Sequence, residues 1–289
     1  MTGGGISVTL PHGLCAAGAR HQDAMLRPLT GADQALLAEA GTEPPARLVT
    51  VLLGRTVTRI GAIAPVGPDV ARALTIGDRE ALLLHLWRIS RGDRLDCVLV
   101  CPHGGCGERM DLELSASRLA LPAYEHARPE HEVLIDGPAE RYRVTFRLPN
   151  GGDQEEAAEI VLSDGPGPAA AAALRRTILA ITPSDGARRD RLPEPVARRL
   201  PTVMADLDPQ AEITLDLTCP ACGRGFATIF DTASFLLSEL AAATRRLFRE
   251  VHWLALNYHW SERAILALSL PRRRLYLDLL DEASAGGVA

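Results

Sequence analysis

Leu95-Asp-Cys97-Val-Leu-Val-Cys101-Pro-His103-Gly-Gly-Cys106-Gly107 and, far downstream, Leu217-Thr-Cys219-Pro-Ala-Cys222-Gly223 share one order: an apolar run, Cys-Pro, a short turn, Cys-Gly and a second strand-like run. Strands are expected over 95–100 and 110–114 in the first segment, and over 213–217 and 226–230 in the second. This is the pattern of a zinc knuckle, in which two thiolates at the tip of a tight hairpin point at one ion. Pro after the first Cys stiffens the turn, and Gly after the second lets the backbone fold beneath the metal. One knuckle supplies two ligands, whereas structural zinc takes four in a tetrahedron. The two hairpins are therefore expected to face each other as a split zinc ribbon, with Cys101, Cys106, Cys219 and Cys222 holding a structural Zn2+. The first knuckle is Cys-x4-Cys, two residues longer than the second.

The neighbouring donors read differently. His103 sits in the turn and is expected to face solvent. Cys97 precedes Cys101 by four residues, so on a strand both share a face at two heights, and Cys97 is expected in the core. Cys15 has no partner pattern. Catalytic roles for the thiols fit poorly. A redox Cys-x-x-Cys opens a helix after a strand, while Cys222 is followed by Gly-Arg-Gly-Phe, which suits a returning strand. Catalytic zinc keeps an open position, and four thiolates close the shell. No nucleophile elbow, phosphate loop or His-Glu metal motif accompanies them. A non-enzymatic protein without a small-molecule substrate is expected.

Composition bounds the partners. The 289 residues are roughly two domains' worth, with 47% hydrophobic and 23% charged, ordinary for a globular chain. All 31 basic residues are Arg, and 36 acidic residues leave a net charge of −5. That balance argues against coating nucleic acid or an anionic membrane. The opening MTGGGISVTLPHGL lacks a basic start and apolar run, and no apolar stretch approaches the ~20 residues of a span. A cytoplasmic setting follows, where cysteines bind metal more often than they form disulfides.

The fold expected is α+β, mostly helical, with the split ribbon at its centre. Four regions are drawn: 1–94, an irregular arm (1–25) and helices; 95–114 plus 213–230, the ribbon; 115–212, an inserted α/β region; and 231–289, helices. Within them, helices are expected near 32–40, 46–53, 154–161, 169–181, 196–207 and 233–255, with a strong one over 79–90 capped by Asp78. Tyr142, Val144, Phe146 and Leu148 alternate with polar residues as a half-buried strand. Residues 184–191 read as a polar linker. Arg272-Arg-Arg274 reads as a solvated helix start, and Asp78 and Glu80 as helix-start residues. Four of the seven Trp and Tyr residues, Trp253, Tyr258, Trp260 and Tyr276, gather near the C-terminus. One or two are expected on an exposed partner surface that truncation after Asp231 would remove without disturbing the zinc hairpins.

The order of motifs resembles the T4-type phage baseplate (hub assembly) proteins and their relatives in phage-tail-like contractile injection systems. The residues carrying the likeness are Leu29-Thr-Gly, Ile76-Gly-Asp-Arg-Glu-Ala-Leu-Leu-Leu84, the two Cys-Pro…Cys-Gly knuckles, Phe146-Arg-Leu-Pro-Asn-Gly-Gly-Asp-Gln154, Val251-His-Trp-Leu-Ala…Tyr258-His-Trp-Ser-Glu262 and Leu270-Pro-Arg-Arg-Arg-Leu-Tyr276. The likeness implies a structural component or assembly chaperone of a contractile-tail baseplate. Its partners would be other baseplate or tail proteins, met in the cytoplasm of the producing cell or in the assembled particle. The alternative is a zinc-ribbon nucleic-acid-binding or transcription-related protein, which would need Arg141, Arg143, Arg147, Arg175 and Arg176 to converge on one face.

Overall fold

The structure, a computed structural model, describes residues 5–16, 18–138, 140–183 and 192–286. It is α+β, with twelve helices and about 27% strand among them. The expected irregular arm is instead a hairpin, β1 (Ile6–Ala16) and β2 (Ala19–Leu26), paired antiparallel. The Gly run at the start hides an alternation, Ile6-Ser-Val8-Thr-Leu10, whose apolar members Val8 and Leu10 are buried with Ala24 and Leu26. Helices α1 (Gly31–Glu39) and α2 (Pro45–Thr56) lead back to β3 (Val57–Ile60), which completes a sheet of order β1-β2-β3. A short helix, α3 (Pro68–Ala73), precedes α4 (Ile76–Arg91), whose Leu82, Leu83, Leu84 and Leu86 are fully buried.

Next comes the first cysteine hairpin, β4 (Arg94–Val100) with β5 (Arg109–Ser115), then the one-turn α5 (Ala116–Leu119). A second three-stranded sheet, order β6-β7-β8, is built from β6 (His131–Asp136), β7 (Arg141–Phe146) and β8 (Ile178–Pro183). Between β7 and β8 run α6 (Gly151–Asp164) and α7 (Pro166–Thr177). The helix expected over 169–181 ends at Thr177, because Ile178 and Ile181 pack into the second core beside Phe146 and Val144. The polar linker read at 184–191 lies outside the described residues. Helix α8 (Glu194–Leu207) then lays Val196, Leu200 and Met204 on this sheet.

The second cysteine hairpin, β9 (Ile213–Thr218) with β10 (Gly225–Phe230), is followed by α9 (Thr232–Ala242), α10 (Thr244–Tyr258), α11 (Glu262–Leu266) and α12 (Leu270–Gly286). One helix was expected over 233–255. It breaks at Ala243, where the Thr244 hydroxyl donates back to the Leu240 carbonyl. The break lets Leu236 and Leu240 face the main core while Leu247, Val251 and Leu254 face a separate C-terminal core. Truncation after Asp231 would therefore open the main core, not merely remove an appendage.

Two carboxylate knots fix the turns ahead of α1 and α6. Asp33 is fully buried, takes the Arg27 guanidinium at 2.7 and 3.0 Å and Arg55 Nε at 2.9 Å, and accepts from the Thr30 N–H. Burial pulls its pKa up, but the Arg27 and Thr30 hydrogen bonds outweigh it and hold it at about 2. Asp153 repeats the arrangement with Arg147 at 2.6 and 2.9 Å, Arg176 at 3.0 Å and the Asn150 N–H.

Other charged groups are buried where the sequence suggests solvent. Thr75, not Asp78, caps α4; the Asp78 carboxylate crosses to β1 and accepts from the His12 and Gly13 N–H groups at 2.8 and 2.9 Å. Arg273 is not solvated: it is buried, with Nε on Glu250 and Nη2 on Gln34. Burial pushes Asp78 up to about 6. A raised carboxyl pKa means the folded state holds its proton longer, so this contribution is complete below about pH 4 and is lost as pH rises through 6. It amounts to about 3 kcal/mol. Glu80, raised by burial to about 7, acts in the same direction, and His85, lowered by burial to about 4, opposes both. Asp78→Asn should flatten the decline of unfolding free energy between pH 4 and 6 in denaturant titrations. An identical slope in both proteins would remove Asp78 as its source.

Candidate metal centre

The two cysteine hairpins are separate two-stranded sheets whose tips meet. In each, the residue after the second cysteine is a glycine in the left-handed region, Gly107 at φ 62° and Gly223 at φ 69°, where a side chain would be strained. The tips close through Cys101 N–H to Glu108 O at 2.8 Å and Cys219 N–H to Arg224 O at 3.0 Å. The longer first knuckle therefore closes as the shorter one does.

The sulfurs of Cys101, Cys106, Cys219 and Cys222 all lie within 4.8 Å of one another. Cys101 is 3.9 Å from Cys222, and Cys106 is 3.7 Å from Cys219. Zn–S bonds near 2.3 Å in a tetrahedron place sulfurs about 3.8 Å apart, so the donor set fits such an ion with small adjustment. Cys101 and Cys219 are buried, while Cys106 and Cys222 are half-buried at the rim. Among the described residues this is the one group of three or more metal-ligating side chains close enough to share an ion.

Backbone N–H groups support the sulfurs from outside. Those of His103, Glu108 and Arg224, each two residues past a cysteine, donate to Cys101, Cys106 and Cys222. The Arg224 backbone and side chain together hold the Cys222 thiol down, whereas burial pushes Cys101 up. Such donors stabilise thiolates and orient them toward an ion. Arg224 reads in the sequence only as part of the returning strand, and its place two residues past Cys222 is the one local signal of its contact with the sulfur.

The neighbouring donors stay apart from the cluster. Cys97 packs against the main core from β4, and Cys15 is exposed on β1. His103 remains partly exposed in the turn, yet its Nε2 lies 3.2 Å from the Gly225 carbonyl and its ring stands edge-on to Phe226. It joins the two hairpins. Four of the five arginines that a nucleic-acid surface would need are paired with carboxylates, while Arg175 is exposed. Arg141 pairs with Asp136, Arg143 with Glu132, and Arg147 and Arg176 share Asp153.

No helix among the described residues is long and apolar enough to cross a membrane. No curated protein and no solved structure matches the chain. The family model of the T4 bacteriophage base plate protein matches residues 21–173, a stretch that includes Cys101 and Cys106 and ends before Cys219. That stretch is more than half of the chain, and the chain belongs to the T4 bacteriophage base plate protein family.

Proposed function

We propose that the chain is a zinc-stabilised, non-enzymatic building or assembly protein of a contractile-tail baseplate, with Cys101, Cys106, Cys219 and Cys222 as the ligands of one structural Zn2+. The observation that carries the metal reading is the convergence of four thiols from hairpins more than a hundred residues apart, at spacings a tetrahedral ion fits. Family membership supports the baseplate role. In this reading the hairpins, 95–114 and 213–230, are one metal-bound body between regions 1–94, 115–212 and 231–289. The ion carries no reaction, because four thiolates leave it no open position.

Partners are other baseplate or tail proteins. The surface suited to them lies on α10 and α12, where Phe248, Trp253, Leu256, Leu275 and Leu279 are exposed. Tyr258, Trp260 and Tyr276 form a ring cluster behind it. Aromatic side chains of this kind are enriched at the centres of interfaces. Trp253→Ala with Leu256→Asp should abolish co-purification with tail proteins while metal content and melting temperature stay unchanged. Undiminished co-purification would move the interface elsewhere. The role itself is tested by deleting the gene from a producing strain and imaging tails by electron microscopy. Normal baseplates would sink the proposal, and the protein's presence in purified particles would separate a component from a chaperone.

A further inference from the structure

Two stretches of the chain are built alike. Arg27-Pro-Leu-Thr30-Gly31-Ala-Asp33-Gln34 and Arg147-Leu-Pro-Asn150-Gly151-Gly-Asp153-Gln154 stand 120 positions apart (27 to 147). Each follows the middle strand of a three-stranded antiparallel sheet and opens the first of two helices. Each is answered by Arg-Thr at the end of the second helix, Arg55-Thr56 and Arg176-Thr177. The atomic contacts repeat as well. The two knots on Asp33 and Asp153 share their two guanidinium partners and the N-cap N–H, and the Arg27 N–H donates to Thr56 O at 2.9 Å as the Arg147 N–H does to Thr177 O at 2.9 Å.

Each of these helix starts meets the start of another helix, in crossed order. Thr30 bridges Ser269 just before α12, and Asn150 bridges Thr75 just before α4. On one side Gly31 N–H donates to Leu268 O and Leu270 N–H to Leu29 O; on the other Gly151 N–H donates to Leu74 O and Ile76 N–H to Pro149 O. The docked helices begin alike, Leu74-Thr-Ile-Gly-Asp-Arg79 and Leu268-Ser-Leu-Pro-Arg-Arg273, each after a short helix. The buried arginine ending each motif lies on the opposing glycine. A Cβ on Gly31 would stand 2.8 Å from Arg273 Nη1, and one on Gly151 would collide with the Arg79 guanidinium. The cysteine hairpins cross in the same sense, the first cysteine of one against the second of the other in both directions.

We infer that the chain is an internal duplication whose two copies, residues 6–119 and 131–286, clasp each other reciprocally, the glycine-bearing helix start of each copy receiving the Leu-Thr/Ser…Arg helix start of the other. The four cysteines form a third clasp on the same seam, and only that third clasp rests on the metal reading above. The copies have diverged in order. In the first, α4 both covers its own sheet and docks across the seam; in the second, α8 covers the sheet and α12, beyond the hairpin, does the docking.

The test uses the folded full-length protein with a specific protease site placed after Pro129, in the exposed segment joining the copies. After cleavage the two pieces should co-elute. Gly31→Ala and Gly151→Ala should each weaken their association by at least about tenfold and by similar factors. Arg273→Lys, which keeps the charge but loses the Nη2 bond to Gln34 across the seam, should act in the same direction. Gly61→Ala, equally crowded but against His21 of its own copy, should lower the melting temperature without releasing the pieces. Pieces that stay together in both clasp variants, or separate in one only, would overturn the reciprocal arrangement. Chelation should loosen the seam further. A chelator without effect on the nicked protein would strike out the third clasp and leave the glycine result to stand or fall by itself.

Discussion

Cys219→Ser should empty the metal site and lower the melting temperature by roughly 6–12 °C. Cys219 is fully buried, and its sulfur sits between two hairpins that share no strand pairing with each other. A hydroxyl there is a poor zinc ligand, and three thiolates without a fourth would repel one another. Structural zinc supplies about 10–16 kcal/mol of folding energy to small peptides. Here the strands of each hairpin pair without help, and Cys97, Ile213 and Leu215 already pack on the main core. Only part of that energy, about 3 kcal/mol, is then at stake, which in a chain of this size is the stated shift. Cys97→Ser should leave the zinc content at one per chain. Metal analysis and thermal unfolding of the two variants decide it. Full zinc in Cys219→Ser, or an unmoved melting temperature after zinc loss, would make the metal incidental.

Features with a local cause were legible in the sequence. The cysteine hairpins follow from Cys-Pro, Cys-Gly and flanking alternation, all within about twenty residues, and their strands lie within a residue or so of the reading. What stayed hidden depends on distant partners. The buried state of Arg273 is decided by Gln34, 239 positions away, and the direction of the Asp78 side chain by β1, 66 positions back. Ala243 breaks a helix without Gly or Pro because two separate cores pull the flanking stripes in different directions. The opening strand was masked by glycines that precede it. The likeness of Arg27…Asp33-Gln34 to Arg147…Asp153-Gln154 is visible in the letters, but four identities in eight positions are weak alone. Its meaning lies in two arginines meeting one carboxylate twice over.

That geometry makes the two aspartates sensitive positions outside the cysteine cluster. Asp33→Ala should cost about 3 kcal/mol, and Asp153→Ala about as much. Each carboxylate is buried and receives two guanidinium groups and the N-cap N–H. Removing it strands all of these donors at once, and breaking a buried pair costs about 3–5 kcal/mol. The arginines are partly exposed and can turn to water, which places the loss at the low end. Asn at either position keeps the shape and one acceptor oxygen, so its loss should be smaller. The low pKa of Asp33 adds a signature. A depressed carboxyl contributes stability above its unfolded value near 4 that is lost as pH falls toward 2. Wild type should therefore lose stability over that interval faster than Asp33→Ala. Urea titrations at pH 7 and pH 3 measure both effects. A loss below about 1 kcal/mol at neutral pH in both alanine variants would show that the knots position the helix starts without holding them.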